Sequence, residues 1–173
     1  SEPYGSVLII TPWNYPFQLA IAPVIAAITA GNTVVLKPSE HSPNTSQLLE
    51  SILSSIFKPE HLKVVQGGIP ETTLLLKERW DYIFFTGSVA VGKIIAKAAA
   101  PHLTPVTLEL GGKNPCIIDA TMPTALTAKR LVWGKFINAG QTCIAPDYLL
   151  VHSSVKKQLI SDLKKEIISA YGE

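Results

Sequence analysis

The stretch DYIFFTGSVAVGKIIAKAAA, residues 81 to 100, joins two kinds of pattern at one glycine. DYIFFT (81–86) is a β-rich apolar run, and residues 88 to 100 carry apolar side chains at helical spacing. Gly87 and Ser88 stand at the junction, where a glycine turns the chain and a serine caps a helix. Five positions after Gly87 comes Gly92, followed at once by Lys93. That is most of the nucleoside-triphosphate motif G-x-x-x-x-G-K-[ST], but Ile94 stands where a hydroxyl should hold magnesium. The dinucleotide motif G-x-G-x-x-G is absent as well. The loop alone leaves open plain packing, a P-loop and a dinucleotide phosphate site.

Outward from this stretch the same rhythm repeats. VLIIT (7–11), TVVLK (33–37), LKVVQ (62–66) and residues 105 to 110 read as strands. Residues 16 to 30, 43 to 57 and 70 to 77 read as helices between them. Strands this apolar are covered on both faces, so the alternation predicts an α/β fold with a parallel sheet wrapped by helices. After Gly111-Gly112 the rhythm restarts. NPCIID (114–119) and DYLLVH (147–152) read as strands, and residues 123 to 138 and 154 to 170 as helices. The expected domains are therefore 1–111 and 112–173, the second with too few elements to close a core alone.

Composition narrows the function classes. The 173 residues make one domain or one and a half. With 47% apolar and 16% charged residues, a sizeable core is expected and disorder is not. The net charge of +2 comes without a basic run, so no nucleic-acid partner is expected. The longest apolar stretch, LAIAPVIAAITAG, has about 13 residues and contains Pro23, short of the ~20 that span a bilayer. No membrane segment, signal peptide or metal site is read. Two cysteines, Cys116 and Cys143, make no disulfide framework and point to a reducing, cytoplasmic home. The chain starts SEPYG without Met and stops at SAYGE just after a helical pattern, which reads as a piece of something longer.

Four short segments carry candidate chemistry. GQTCIAP places Cys143 in a polar loop beyond a helix, unlike Cys116 inside an apolar run. An ordinary thiol, with a pKa near ~8.5, needs a base or a positive field to act as a nucleophile at pH 7. LELGG ends an apolar strand with Glu109, where a carboxylate is costly unless it is partnered; that suits a general base, and a solvent-facing strand end is the plainer alternative. TPWNYP holds Asn14 between Pro12 and Pro16, either a turn residue or a stiffly held amide donor for an oxyanion. LKPSE sets Lys37 and Glu40 at a strand end, either as an ordinary helix approach or as a grip on ribose hydroxyls.

Taken together and in order, TPWNYP, LKPSE, FFTGS, LELGGKNP and GQTCIAPDY resemble the successive motifs of the NAD(P)-dependent aldehyde dehydrogenase superfamily. The resemblance covers essentially the whole chain and includes the 34-residue step from Glu109 to Cys143. TCIAPDY and VVQGGIPETTLLLKERWDYIFFTGS are most similar to the class 3 and fatty aldehyde dehydrogenase branch. The resemblance implies a Rossmann-like coenzyme domain over residues 1–111 and the start of a catalytic domain over 112–173. It implies NAD or NADP as cofactor and oxidation of an aldehyde to an acid through a cysteine thiohemiacetal and thioester. Cys143 would be the nucleophile, Asn14 and the Cys143 N–H the oxyanion donors, and Glu109 the base that activates water. Lys37 and Glu40 would bind the adenine ribose, and Gly87 and Ser88 the pyrophosphate. Trp13 would line the crevice, Val91 would pack near the adenine, and Gly111 would let the chain pass the nicotinamide. Lys93 would then point to solvent, its P-loop spacing a coincidence.

The branch implies medium- or long-chain aliphatic or aromatic aldehydes and a homodimeric parent enzyme. Members are more than twice this length, so this chain alone is expected not to turn over aldehyde. Two further alternatives are a dinucleotide-binding or interaction module without catalysis, and a superfamily member that reduces acyl substrates. Glu109 favours oxidation, because the acyl-reducing branch usually dispenses with the base.

Overall fold

In the computed structural model, which describes residues 2 to 172, strand β1 (Ser6–Ile10) runs through the middle of a parallel sheet. It pairs with β2 (Thr33–Lys37) on one side and with β4 (Tyr82–Gly87) on the other. β3 (Leu62–Val64) and β5 (Val106–Leu110) complete the order β3-β2-β1-β4-β5 among the described residues. All four pairings are parallel, as the near-continuous apolar runs predict.

The alternation of a strand explains how one sequence feeds two cores. Val7 and Ile9 point to the face covered by α1 (Gln18–Thr29) and α2 (Pro43–Ile56), where Val24, Leu36, Leu49 and Leu53 meet them. Leu8 and Ile10 point to the opposite face, against Ile95 and Ala99 of α4 (Val89–Ala99) and Leu75 of α3 (Ile69–Leu75). Each fully buried aliphatic side chain contributes about 1.5–3 kcal/mol, so β1 is held from both sides.

After β1 the chain moves outward through β2 to β3, then returns to the other flank of β1 as β4. The strand order reverses there, which is the place where open α/β sheets hold ligands beyond the strand ends. Element boundaries differ little from expectation. β3 ends at Val64 because Gly67, at φ +128°, turns the chain away. The expected helix over 123–138 ends at Phe136, because Ile137 is extended and Asn138 and Ala139 adopt left-handed conformations.

The chain divides into two compact units, one ending at Leu110 and the next beginning at Gly111. In the second, β6 (Asn114–Ile118) and β7 (Pro146–Val151) pair in parallel. Helices α5 (Thr124–Phe136) and α6 (Ser153–Tyr171) cover one face with Ala128, Leu131 and Leu159 packed on Ile118. The other face leaves Ile117, Tyr148 and Leu150 exposed. Among the described residues no helix is long and apolar enough to cross a membrane.

Candidate functional site

In the first unit the expected residues gather at the carboxyl ends of the strands. β1 ends at Thr11, and the Pro12–Pro16 loop carries an exposed Trp13 and a partly buried Asn14 into α1. Ser42, at the start of α2, donates its hydroxyl to the Trp13 carbonyl at 3.2 Å and so pins this loop. Thr11 is 4% exposed, and its hydroxyl has no hydrogen-bond partner among the described residues. A buried hydroxyl normally finds one, so the Thr11 hydroxyl is a polar group at the end of β1 that the described residues leave unpaired.

β2 ends at Lys37, the largest of the fully buried side chains at 2% exposure. Its ammonium donates to the Pro38 carbonyl at 2.8 Å and pairs with Glu40 at 3.6 Å. Burial pushes the Lys37 pKa down, while the carboxylates of Glu40 and Glu71 pull it back up. The pairing orients Glu40, which stays partly exposed on the wall of a cleft of about 160 Å³ with Ser39, Gln66 and Gly67. Opposite, the Gly68 N–H donates to Glu71 at 2.7 Å; hydrogen bonds from the Glu71 backbone first and from Gly68 second hold the Glu71 carboxyl below its usual range. A Cβ on Gly68 would stand 3.8 Å from the Glu40 carboxylate. The cleft therefore presents an oriented carboxylate and little bulk, which fits a vicinal diol.

β4 ends at Gly87, where a Cβ would stand 2.5 Å from the Phe85 ring. Ser88 caps α4, its Oγ accepting the Val91 N–H at 3.3 Å. The hydroxyl keeps its own proton to donate, and the helix N-terminus adds partial positive charge. A Cβ on Gly92 would come within 2.8 Å of Leu110, so this glycine serves helix–strand packing. Lys93 and Ile94 are exposed, as expected if the P-loop spacing is a coincidence. Val91 is also exposed, one turn into the helix. Orphaned hydroxyl, diol-sized cleft and open helix N-terminus together fit a dinucleotide.

Glu109 lies beside Thr86 in the β4–β5 ladder and is exposed. The cost of burying a carboxylate, which the sequence raises for this residue, is thus not incurred; the solvent-facing alternative describes its position.

In the second unit Cys143 is exposed and Cys116 is half-buried. Cys143 sits in a turn closed by the Ala145 N–H donating to the Thr142 carbonyl at 3.2 Å. Before it, Asn138, Ala139 and Gly140 all have positive φ, an unfavourable geometry for the two non-glycines. Behind the turn, the Asn114 side-chain amide donates to the carbonyls of Cys143 at 2.7 Å and Ala145 at 3.1 Å. A Cβ on Gly112 would sit 2.6 Å from the Cys143 carbonyl oxygen, whereas one on Gly111 would meet nothing within 4 Å. Gly112 is therefore required by the protein itself, whereas the space beside Gly111 is open.

Sequence reasoning passed over Thr11, Gly112 and Asn114. The signal for the last two was the segment GGKNP, whose Asn precedes a proline that cannot donate. Among the described residues no cluster of three His, Cys, Asp or Glu side chains could hold a metal ion.

The profile described as "Aldehyde dehydrogenase family" matches residues 1–170. The dimeric NADP-preferring aldehyde dehydrogenase of Canis lupus familiaris is 55% identical over 173 residues, all of this chain and 38% of that protein. A substrate-bound structure of Staphylococcus aureus AldH superposes with a TM-score of 0.94 at 51% identity, covering 99% of this chain and 38% of that one. The Mycobacterium tuberculosis aldehyde dehydrogenase complexed with NAD+ gives 0.90 at 35% identity, covering 97% and 35%. The chain thus spans 38% of the length of the first curated relatives it matches.

Proposed function

The chain belongs to the aldehyde dehydrogenase family, and from that premise we propose that it supplies the coenzyme crevice and the nucleophile of an enzyme that oxidises an aldehyde with NAD or NADP. Members of the family are oxidoreductases acting on aldehydes. The observation that carries the finer reading is the exposed Cys143 thiol, presented from a hydrogen-bonded turn.

In this reading the Cys143 thiolate attacks the aldehyde carbon and forms a C–S bond. The carbonyl oxygen becomes an oxyanion, which the Asn14 side-chain amide and the Cys143 backbone N–H stabilise, an effect worth roughly 3–4 kcal/mol per strong donor. Bound NAD or NADP supplies the acceptor for the hydride that leaves this tetrahedral carbon. The C=O that re-forms is a thioester on Cys143. Glu109 then takes a proton from water, the hydroxide adds to the thioester, and the acid departs with return of the thiolate.

The crevice residues divide the cofactor between them. Lys37 holds Glu40 at the cleft beside Gly67, where Glu40 would bind the ribose hydroxyls of the adenosine half. Gly87 and Ser88 would meet the pyrophosphate at the start of α4, Val91 would pack near the adenine, and Trp13 would line the same crevice. Gly111 lends its open flank to the nicotinamide. The sequence resemblance to the class 3 branch suggests medium- or long-chain aliphatic or aromatic aldehydes, and the word dimeric in the name of the Canis lupus familiaris relative supports a homodimeric whole enzyme. A working thiol nucleophile also suits a reducing, cytoplasmic compartment.

Two measurements test this. Titrating the chain with NAD, NADP and Mg-ATP while following tryptophan fluorescence should give saturable quenching by a dinucleotide and none by Mg-ATP. A response to Mg-ATP alone returns Gly87–Lys93 to the P-loop reading. In the whole enzyme, Cys143→Ser should lower acid production at least about a thousandfold. Turnover that survives the substitution leaves a dinucleotide-binding module with chemistry elsewhere.

A further inference from the structure

The β6–β7 ladder is irregular where it begins, between Asn114 and Pro115. Asn114 pairs with Pro146 and Pro115 with Tyr148, so the register slips by one residue at the end nearest Cys143. Both Pro115 and Pro146 lack an N–H. The regular exchange of backbone hydrogen bonds therefore fails at this end of the ladder, just after the carbonyls of Cys143 and Ala145.

The Asn114 side chain bonds both of these carbonyls. A primary amide has two N–H donors on one nitrogen, and this nitrogen reaches both carbonyls, at 2.7 Å and 3.1 Å. Carbonyl oxygens only accept, so the NH₂ end of the side chain has to be the end that faces them. Gly112 permits the approach, because a Cβ there would stand 2.6 Å from the Cys143 oxygen and 3.0 Å from the Asn114 amide nitrogen. The two bonded carbonyls bracket Ile144, and the first belongs to Cys143 itself. Holding both fixes the peptide planes on the C-terminal side of the thiol. The left-handed residues Asn138 to Gly140 mark the other side.

We infer that Asn114 is a positioning residue for the Cys143 loop, setting the backbone from which the thiol is presented. This rests on Cys143 being the nucleophile. Asn114 touches no reacting atom; it acts through the carbonyls it holds. Lys113, next to it, is highly exposed and reaches Asp147 at 3.3 Å, so the flanking charge pair lies outside the clamp.

A graded series tests the assignment. Asn114→Ser keeps one donor, and Asn114→Ala keeps none. Asn114→Asp is isosteric and, once ionised, turns an acceptor toward two acceptors. Hydrogen exchange of the Ala145 amide in this chain should speed up by about two- to tenfold for each bond lost, with serine between the wild type and alanine. Exchange at the His152 amide, bonded to Ile118 inside the ladder, should stay unchanged. In the whole enzyme, kcat should fall in the same order while KM holds, because the substrate is not contacted. Equal loss of protection at Ala145 and His152 would make Asn114 a general fold residue and overturn the inference. Wild-type kcat in Asn114→Ala, with Cys143→Ser inactive, overturns the positioning alone. Activity in Cys143→Ser overturns the reading on which it rests.

Discussion

β1 in the first unit and β6 in the second both pair in parallel, yet they are sealed differently. Leu8 and Ile9, adjacent residues facing opposite sides of their sheet, are both at 0% exposure. Ile117 and Ile118 are adjacent too, but Ile118 is buried while Ile117 is 76% exposed. Burial thus fixes the first unit's strands from both faces and carries Lys37 and Gly87 at their ends to defined places. The second unit has a single packed face, and its candidate residue, Cys143, is held by polar contacts to carbonyls. One unit positions side chains mainly by packing, the other mainly by hydrogen bonds.

The sharpest way to break this contrast is a pair of truncations. Leu36→Ala, in the first core, should cost about 2–5 kcal/mol in denaturant unfolding. Leu150→Ala, on the bare face of β7, should stay within about 0.5 kcal/mol. Similar costs at the two positions would mean that the bare face carries as much of the fold as the sealed one.

A smaller effect follows from Lys37, the charge that packing has enclosed. Its folded-state pKa lies below the ordinary 10.5, because burial penalises the ammonium. The unfolded chain therefore binds the proton more tightly, and the penalty is present in full below the folded-state value. Stability should rise as pH climbs from there toward 10.5. Urea titrations between neutral and alkaline pH should show this rise, and Lys37→Met should flatten it. A parallel rise in the variant would assign it to other groups.

The smallest effect belongs to the second unit's surface. Asp147 lies 3.3 Å from Lys113 and 3.5 Å from Lys135, and the Lys113 hydrogen bond comes first in holding its carboxyl below the usual range. Its contribution is present above the ordinary carboxylate value and lost as pH falls through the lowered one. Asp147→Asn should weaken the unit only slightly, and added salt should erase the difference. A deficit that persists at high salt would point to packing instead of charge.

The sequence disclosed most of the sealed unit, because burial on both faces writes itself as unbroken apolar runs such as VLII and TVVL. It also marked most of the candidate residues, since strand-end glycines, prolines and a thiol in a polar loop are local features. Two things escaped it for physical reasons. Lysine is ordinarily a surface residue, so nothing local announced that Lys37 is enclosed. The task of Asn114 arises only when a slipped register brings it opposite carbonyls about 30 residues along the chain.

The glycine pair of the opening stretch has an evolutionary side. One substitution, Ile94→Ser, would complete the written ATP motif. The two glycines have a reason to be there without it. The space beside Gly87 is taken by the Phe85 ring, and that beside Gly92 by Leu110. These glycines already answer to the protein's own interior. Neither can take a side chain without moving Phe85 or Leu110, so the pair would persist in a lineage that never bound a triphosphate.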